Sequence, residues 1–94
     1  MCTYRTEHVE VRGSGKAGQG WFPVTEATVY FDHPVHAPAL HTLNVDVRNP
    51  ARGADARVAL ELDAASARAL ADAIISALEA APLELLEEAP VRAG

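Results

Sequence analysis

The sequence predicts an α+β domain: a mostly antiparallel, four-stranded sheet with one long C-terminal helix packed on one face. Three observations carry this. Four short stretches alternate apolar and polar residues with period two, as half-buried strands do. One alanine-rich stretch then repeats apolar residues at helical spacing. Strands that all precede a helix, rather than alternating with helices, favour a helix layered on an antiparallel sheet.

The first alternating stretch is Arg5 to Arg12, with Val9 and Val11 on one side and His8, Glu10 and Arg12 on the other. Residues 13–20 follow, with glycine at 13, 15, 18 and 20, and read as a mobile hairpin connection. Gly13, Gly15 and Gly18 fit the spacing G-x-G-x-x-G, but a dinucleotide fingerprint must open a helix. Here Trp21-Phe22-Pro23 and a β-rich run follow instead. A P-loop needs a glycine where Glu10 stands. The remaining functional reading of these glycines is a lid or an anion nest, with Lys16 as the side chain that meets the anion.

Val24 to Phe31 is the second strand, with Ala27, Val29 and Phe31 facing the core and Thr28 and Tyr30 facing away. Trp21 and Phe22 at its entrance cap one end of the core, with ligand stacking on Trp21 as the functional alternative. His41 to Arg48 is the third strand, with Leu43, Val45 and Val47 inward. Asn49-Pro50 and Arg52-Gly53-Ala54-Asp55 form a turn. Arg57 to Leu62 is the fourth strand. Asp63 is placed to cap a helix over Ala64 to Ala81. The apolar face of that helix is Ala67, Leu70, Ala71, Ile74, Ala77, Leu78 and Ala81, and Pro82 ends it. Residues 1–82 thus form one domain. Residues 83–94 form a tail, a short helix or partly disordered.

Composition narrows the function classes. Ninety-four residues make one small domain with a modest core. Net charge is −5 and the basic residues are scattered, which argues against a nucleic-acid partner or an anionic membrane surface. No run is long and apolar enough to span a bilayer. The N-terminus lacks the basic-then-apolar order of a secretion signal. The single cysteine, Cys2, permits no internal disulfide. These features place the protein in the cytoplasm. Alanines inflate the apolar count, so stability is expected to draw on a partner chain, as a homodimer, or on a bound ion.

The chemical signal is the run Asp32-His33-Pro34-Val35-His36-Ala37-Pro38-Ala39-Leu40-His41, which holds three of the four histidines. Neutral imidazole is the commonest metal ligand, and three histidines with an open position is a familiar catalytic zinc arrangement. Prolines stiffen the loop. Asp32 serves either as a ligand or as the acceptor that orients an imidazole. Counting strand phase, His33 follows Val29 and Phe31, and His41 precedes Leu43 and Val45, so both fall on the core side. His8 falls on the other. Cys2, as a thiolate, is a further zinc ligand candidate. The metal set is therefore His33, His36, His41, Cys2 and Asp32, with zinc or a similar ion as cofactor. An ion with an open position would supply hydrolase- or lyase-like chemistry on a small molecule, with Lys16 steering an anion. The sequence defines no complete catalytic constellation, and whether this is an enzyme is left open.

The alternative is a metal-free ligand-binding or protein-interaction module. It would use the polar sheet face, where His8, Tyr30 and Asp46 alternate outward, or the C-terminal tail. His beside Asp is a recurring acid–base pair; the plain reading of that face is solvent exposure.

The opening Met-Cys-Thr-Tyr, the Gly-Ser-Gly-Lys loop with Gly-Trp-Phe-Pro after it, and Asp-His-Pro-Val-His-Ala-Pro together resemble a small bacterial family of about this length with no assigned function. The resemblance spans residues 1 to about 81. It carries no catalytic role to any residue. It implies that the N-terminus, the glycine loop and the histidine loop belong to one recurring set and converge in space.

Overall fold

A computed structural model describes residues 5–33 and 41–87. Four strands, β1 (Thr6–Ala17), β2 (Gly20–Asp32), β3 (Thr42–Arg48) and β4 (Arg57–Leu62), form one sheet in chain order. All three pairings are antiparallel. A helix α1 (Ala64–Ala80) and a single turn of helix α2 (Leu83–Leu86) follow. This is the expected α+β arrangement. Among the described residues, no helix is long and apolar enough to cross a membrane.

From Glu26 of β2 to its end, and in the segments paired with it, alternation gives the sheet two chemically distinct faces. On the apolar face, Val9, Ala27, Val47 and Val58 form one rung across all four strands. The next is Glu7, Val29, Val45 and Leu60, and the one beyond it is Phe31, Leu43 and Leu62. On the polar face, His8, Thr28 and Asp46 share a rung, as do Tyr30, Asn44 and Glu61.

The glycine stretch is not a loop. β1 runs through Gly13, Gly15 and Lys16 to Ala17, and β2 begins at Gly20, so the connection is only Gly18-Gln19. Two features explain the extra length. The register shifts between Glu10 and Gly13, a bulge that bends the strand and increases its twist. Gly15 then lies against the core, where a Cβ would come 3.0 Å from Val24 Cγ1 and 3.4 Å from Phe22 Cζ. The glycine is there for close approach. Gly20 adopts φ 117° as the chain leaves the turn, a backbone region that glycine enters without steric cost.

The bend curls the sheet, bringing β1 near β4 although they are not neighbours in it. Phe22, Val24 and Ala56 form the buried cluster, with Val11, Ala17, Val47 and Val58 packed around it. Phe22 is thus part of the core, while Trp21 points away and is 70% exposed. Buried Asn49 donates from Nδ2 to the Pro23 carbonyl (3.0 Å), and its Oδ1 accepts from Ala51 N–H (3.1 Å). This pins the turn before β4 against β2. The turn includes a short 3₁₀ segment, Pro50–Arg52.

Asp63 caps α1 as expected, its Oδ1 accepting from the Ser66 N–H at 2.7 Å. That bond holds the Asp63 carboxyl below its ordinary pKa. A lowered folded-state pKa contributes stability that is present above the unfolded value and lost as pH falls through the folded one. Two results are expected. Asp63→Ala lowers the melting temperature by a few degrees at neutral pH. Asp63→Asn keeps the cap without a titrating group, so its melting temperature falls less steeply than wild type below about pH 4. Identical acid slopes for the wild type and the asparagine variant would refute the second.

The helix departs from expectation in its cover. Its first turns lie beside the sheet, where Ala64, Ala67 and Ala71 face Val29, Phe31 and Leu43 across a cleft of about 400 Å³. Farther along, Leu70, Ile74 and Leu78, all assigned to the inward face, are exposed. Leu83, Leu85 and Leu86 of α2 are exposed as well. Arg68 and Asp72, four residues apart, both line the cleft and make no ion pair with each other.

Candidate functional site

His33 and His41 meet at one end of the apolar face. The last paired residues of β2 and β3 are Asp32 and Thr42. One step further puts His33 opposite His41, in phase with Phe31 and Leu43. The two imidazole ring centres are 4.5 Å apart and tilted by 47°. Phe31, one rung inward, stacks on His41 with centres 5.8 Å apart and planes within 11°. The Nε2 atom of His41 is shielded from solvent.

Asp32 orients His33. Its Oδ1 accepts from the His33 backbone N–H at 2.7 Å and lies 3.1 Å from His33 Nδ1. The backbone bond first, then the imidazole contact, holds the Asp32 carboxyl below the usual aspartate value. In the tautomer whose Nδ1–H donates to this carboxylate, the Nε2 lone pair of His33 is left free to accept a hydrogen bond or bind a metal. This is the carboxylate–histidine arrangement that prepares an imidazole for a metal. With metal–nitrogen bonds of about 2.0–2.1 Å in tetrahedral geometry, two ligating imidazoles stand about 5 Å apart centre to centre. The 4.5 Å between the two ring centres is close to that spacing.

Two histidines and one carboxylate do not complete a site. Among the described residues, no group of three or more His, Cys, Asp and Glu side chains is placed to hold a metal ion. His36 and Cys2, the other assigned ligands, lie outside the described residues.

His8 stands apart, as its strand phase requires. It is on the polar face, with Nδ1 3.2 Å from Thr28 Oγ1. Thr28 separates it from Asp46 in the rung, leaving His8 and Asp46 about 10 Å apart at normal strand spacing. Asp46 accepts from Arg57 Nε at 2.6 Å, and that bond raises the Arg57 pKa. Beside it, Arg48 Nε donates to Glu26 Oε1 at 2.7 Å. The polar face is therefore tied by cross-strand ion pairs, and His8, Tyr30 and Asp46 share it without forming an acid–base pair. Nor is that face wholly wet. Thr42 and Asn44 are buried, and the Thr42 hydroxyl donates to Asn44 Oδ1 at 2.7 Å.

Lys16 and Trp21 pair across the hairpin tip. The histidines sit at the other end of β2, about twelve residues and roughly 40 Å of extended strand away. The expected convergence of the glycine and histidine stretches is thus corrected: once residues 13–17 are strand, the two lie at opposite ends of the sheet. Lys16 cannot steer an anion to His33 and His41. The side chains nearest that role line the cleft next to Phe31: Arg68 and Asp72 at its edge, Val29 and Leu43 on its floor. In the sequence pattern Val29 and Leu43 are core-facing strand residues, and Arg68 and Asp72, four apart, lie off the apolar stripe of the helix. The signal available was Asp63, which sets the helix down directly beside the histidine end of the sheet.

The chain matches the model of a family described as Family of unknown function (DUF6295) over residues 1–87, and it belongs to that family. The match continues past residue 82 through α2. No curated protein and no solved structure matches the chain.

Proposed function

We propose, starting from membership of a family without assigned activity, that this domain binds a transition metal ion, zinc or a similar ion, at the histidine end of its sheet. His33 and His41 are the first two ligands. His36 and Cys2 supply the rest, and Asp32 orients His33. The observation that carries this is the 4.5 Å approach of the two imidazoles with a carboxylate on one of them. The cleft floored by Phe31, Val29 and Leu43, next to the histidines along the sheet, would take a small molecule, with Arg68 at its edge for an anionic group. Hydrolytic or lyase chemistry follows from a metal that lowers the pKa of bound water. The lone thiol of Cys2 suits the reducing cytoplasm. The exposed leucines and isoleucines of α1 support a homodimer.

Elemental analysis of untagged protein tests the metal. About one equivalent per chain is expected. Saturating zinc, nickel or cobalt should raise the melting temperature of stripped protein by about 10 °C. His33→Ala with His41→Ala should abolish both signals, and His8→Ala should leave both. Protein that carries only trace metal and melts at one temperature with or without added ions would overturn the reading.

A further inference from the structure

We propose that two copies of the chain assemble by exchanging helix contacts: α1 of each protomer lies across the open middle of the other's apolar sheet face. This rests on the homodimer reading above and names its surface.

Among the described residues, two apolar surfaces lack cover and complement each other. The first is on the sheet. The curled hairpin, with Phe22 and Val24, covers the rung at Val47 and Val58. The start of α1 stands over Phe31 and Leu43. Between them, in the rung of Glu7, Val29, Val45 and Leu60, Val29 and Val45 are only half-buried and Leu60 is 43% exposed, and Val9, at the β1 end of the neighbouring rung, is 49% exposed. The result is a trough closed at both ends. The second surface is the line Leu70, Ile74 and Leu78 on α1, each more than 40% exposed. These residues recur every four positions and form one ridge. A ridge on a helix needs an apolar floor, and a sheet trough needs a ridge.

Among the described residues, the helix cannot reach its own trough. One residue, Asp63, links β4 to α1, so the helix start is fixed beside Leu62 and cannot slide along the sheet. A second copy solves both problems at once. Two-fold symmetry makes each contact happen twice, helix on sheet and sheet on helix. The area falls at the low end for a specific interface. A 17-residue helix is about 25 Å long and about 10 Å across. Each chain thus contributes a helix and a sheet footprint totalling on the order of 500 Å² in projection, before curvature and the α2 leucines, against about 800 Å² per partner in a standard interface.

The test uses the full chain and sedimentation equilibrium. Wild type should sediment at twice the 10.0 kDa chain mass. Leu60→Glu, in the trough, and Ile74→Glu, on the ridge, should each weaken self-association by about a hundredfold or more. Mixed one to one, they should recover a dimer. The mixed pair keeps one intact contact, between the natural helix of the Leu60 variant and the natural sheet of the Ile74 variant. Native mass spectrometry should show that species as a heterodimer. Alanine at the same two positions, expected to weaken association at least about tenfold, replaces glutamate if either variant loses its far-ultraviolet signal. A monomeric wild type overturns the dimer reading together with this one. A Leu60 variant that dimerises like wild type, or a mixture that stays monomeric while wild type dimerises, overturns helix exchange alone and points to helix–helix pairing.

Discussion

Phe22→Ala is expected to leave a chain with no cooperative unfolding transition at room temperature. Among the described residues, the buried apolar set is Phe22, Val24 and Ala56, and Phe22 is the largest of them. It sits where the curled hairpin closes over Val47 and Val58, so its removal takes away the contact that holds β1 near β4. Truncating a buried phenylalanine to alanine costs about 3–5 kcal/mol. A core of this size supplies little more than about 3–5 kcal/mol of net stability. The cost therefore equals most of what there is. Far-ultraviolet circular dichroism in urea is the suitable measurement, because the single tryptophan, Trp21, is exposed and would report poorly. A variant with the wild-type urea midpoint would place the stabilising core elsewhere.

Gly15→Val is expected to destabilise by about 1–3 kcal/mol, the range for forcing extra carbon into a packed core. The opposing terms are real. Valine favours strands, and replacing a glycine removes freedom from the unfolded chain, for a gain of about 0.4–1 kcal/mol. They lose because the first added carbon already stands 3.0 Å from Val24 Cγ1, and two methyl groups extend beyond it. Gly18→Ala is the matched control. A Cβ added at this turn residue would meet nothing within 4 Å, so the urea midpoint should stay close to wild type. If valine at 15 proves neutral, the glycines of this stretch serve something other than close packing, and a nest or lid returns as their role.

Much of this architecture was legible because alternation is a local property. The phase of Phe31 and Leu43 carried over one step to put His33 and His41 on one side, and His8 on the other. Asp63 before an alanine-rich run was sufficient to place the helix start. What was not legible depends on partners distant in sequence. Four glycines in eight residues look like a loop until Val24 and Phe22 are known to press on Gly15 and a bulge is known to bend β1. The extended strand then separates Lys16 from the histidines, which undoes a site that spacing alone allowed. The exposure of Leu70, Ile74 and Leu78 was hidden for another reason. Their periodicity marks an apolar stripe but not what lies over it. The cleft with Arg68 and Asp72 escaped because a charged pair four apart reads the same on any helix surface.

The strand order follows the chain order, and this bears on how the protein comes into being. Each pairing joins consecutive segments, so each costs only a short loop closure, and such topologies zip up quickly. During synthesis the sheet can close hairpin by hairpin and be complete once Leu62 is free of the ribosome. At that moment its apolar side has no helix over it at all. The interval until α1 emerges is when the nascent chain is most vulnerable to sticking to its neighbours.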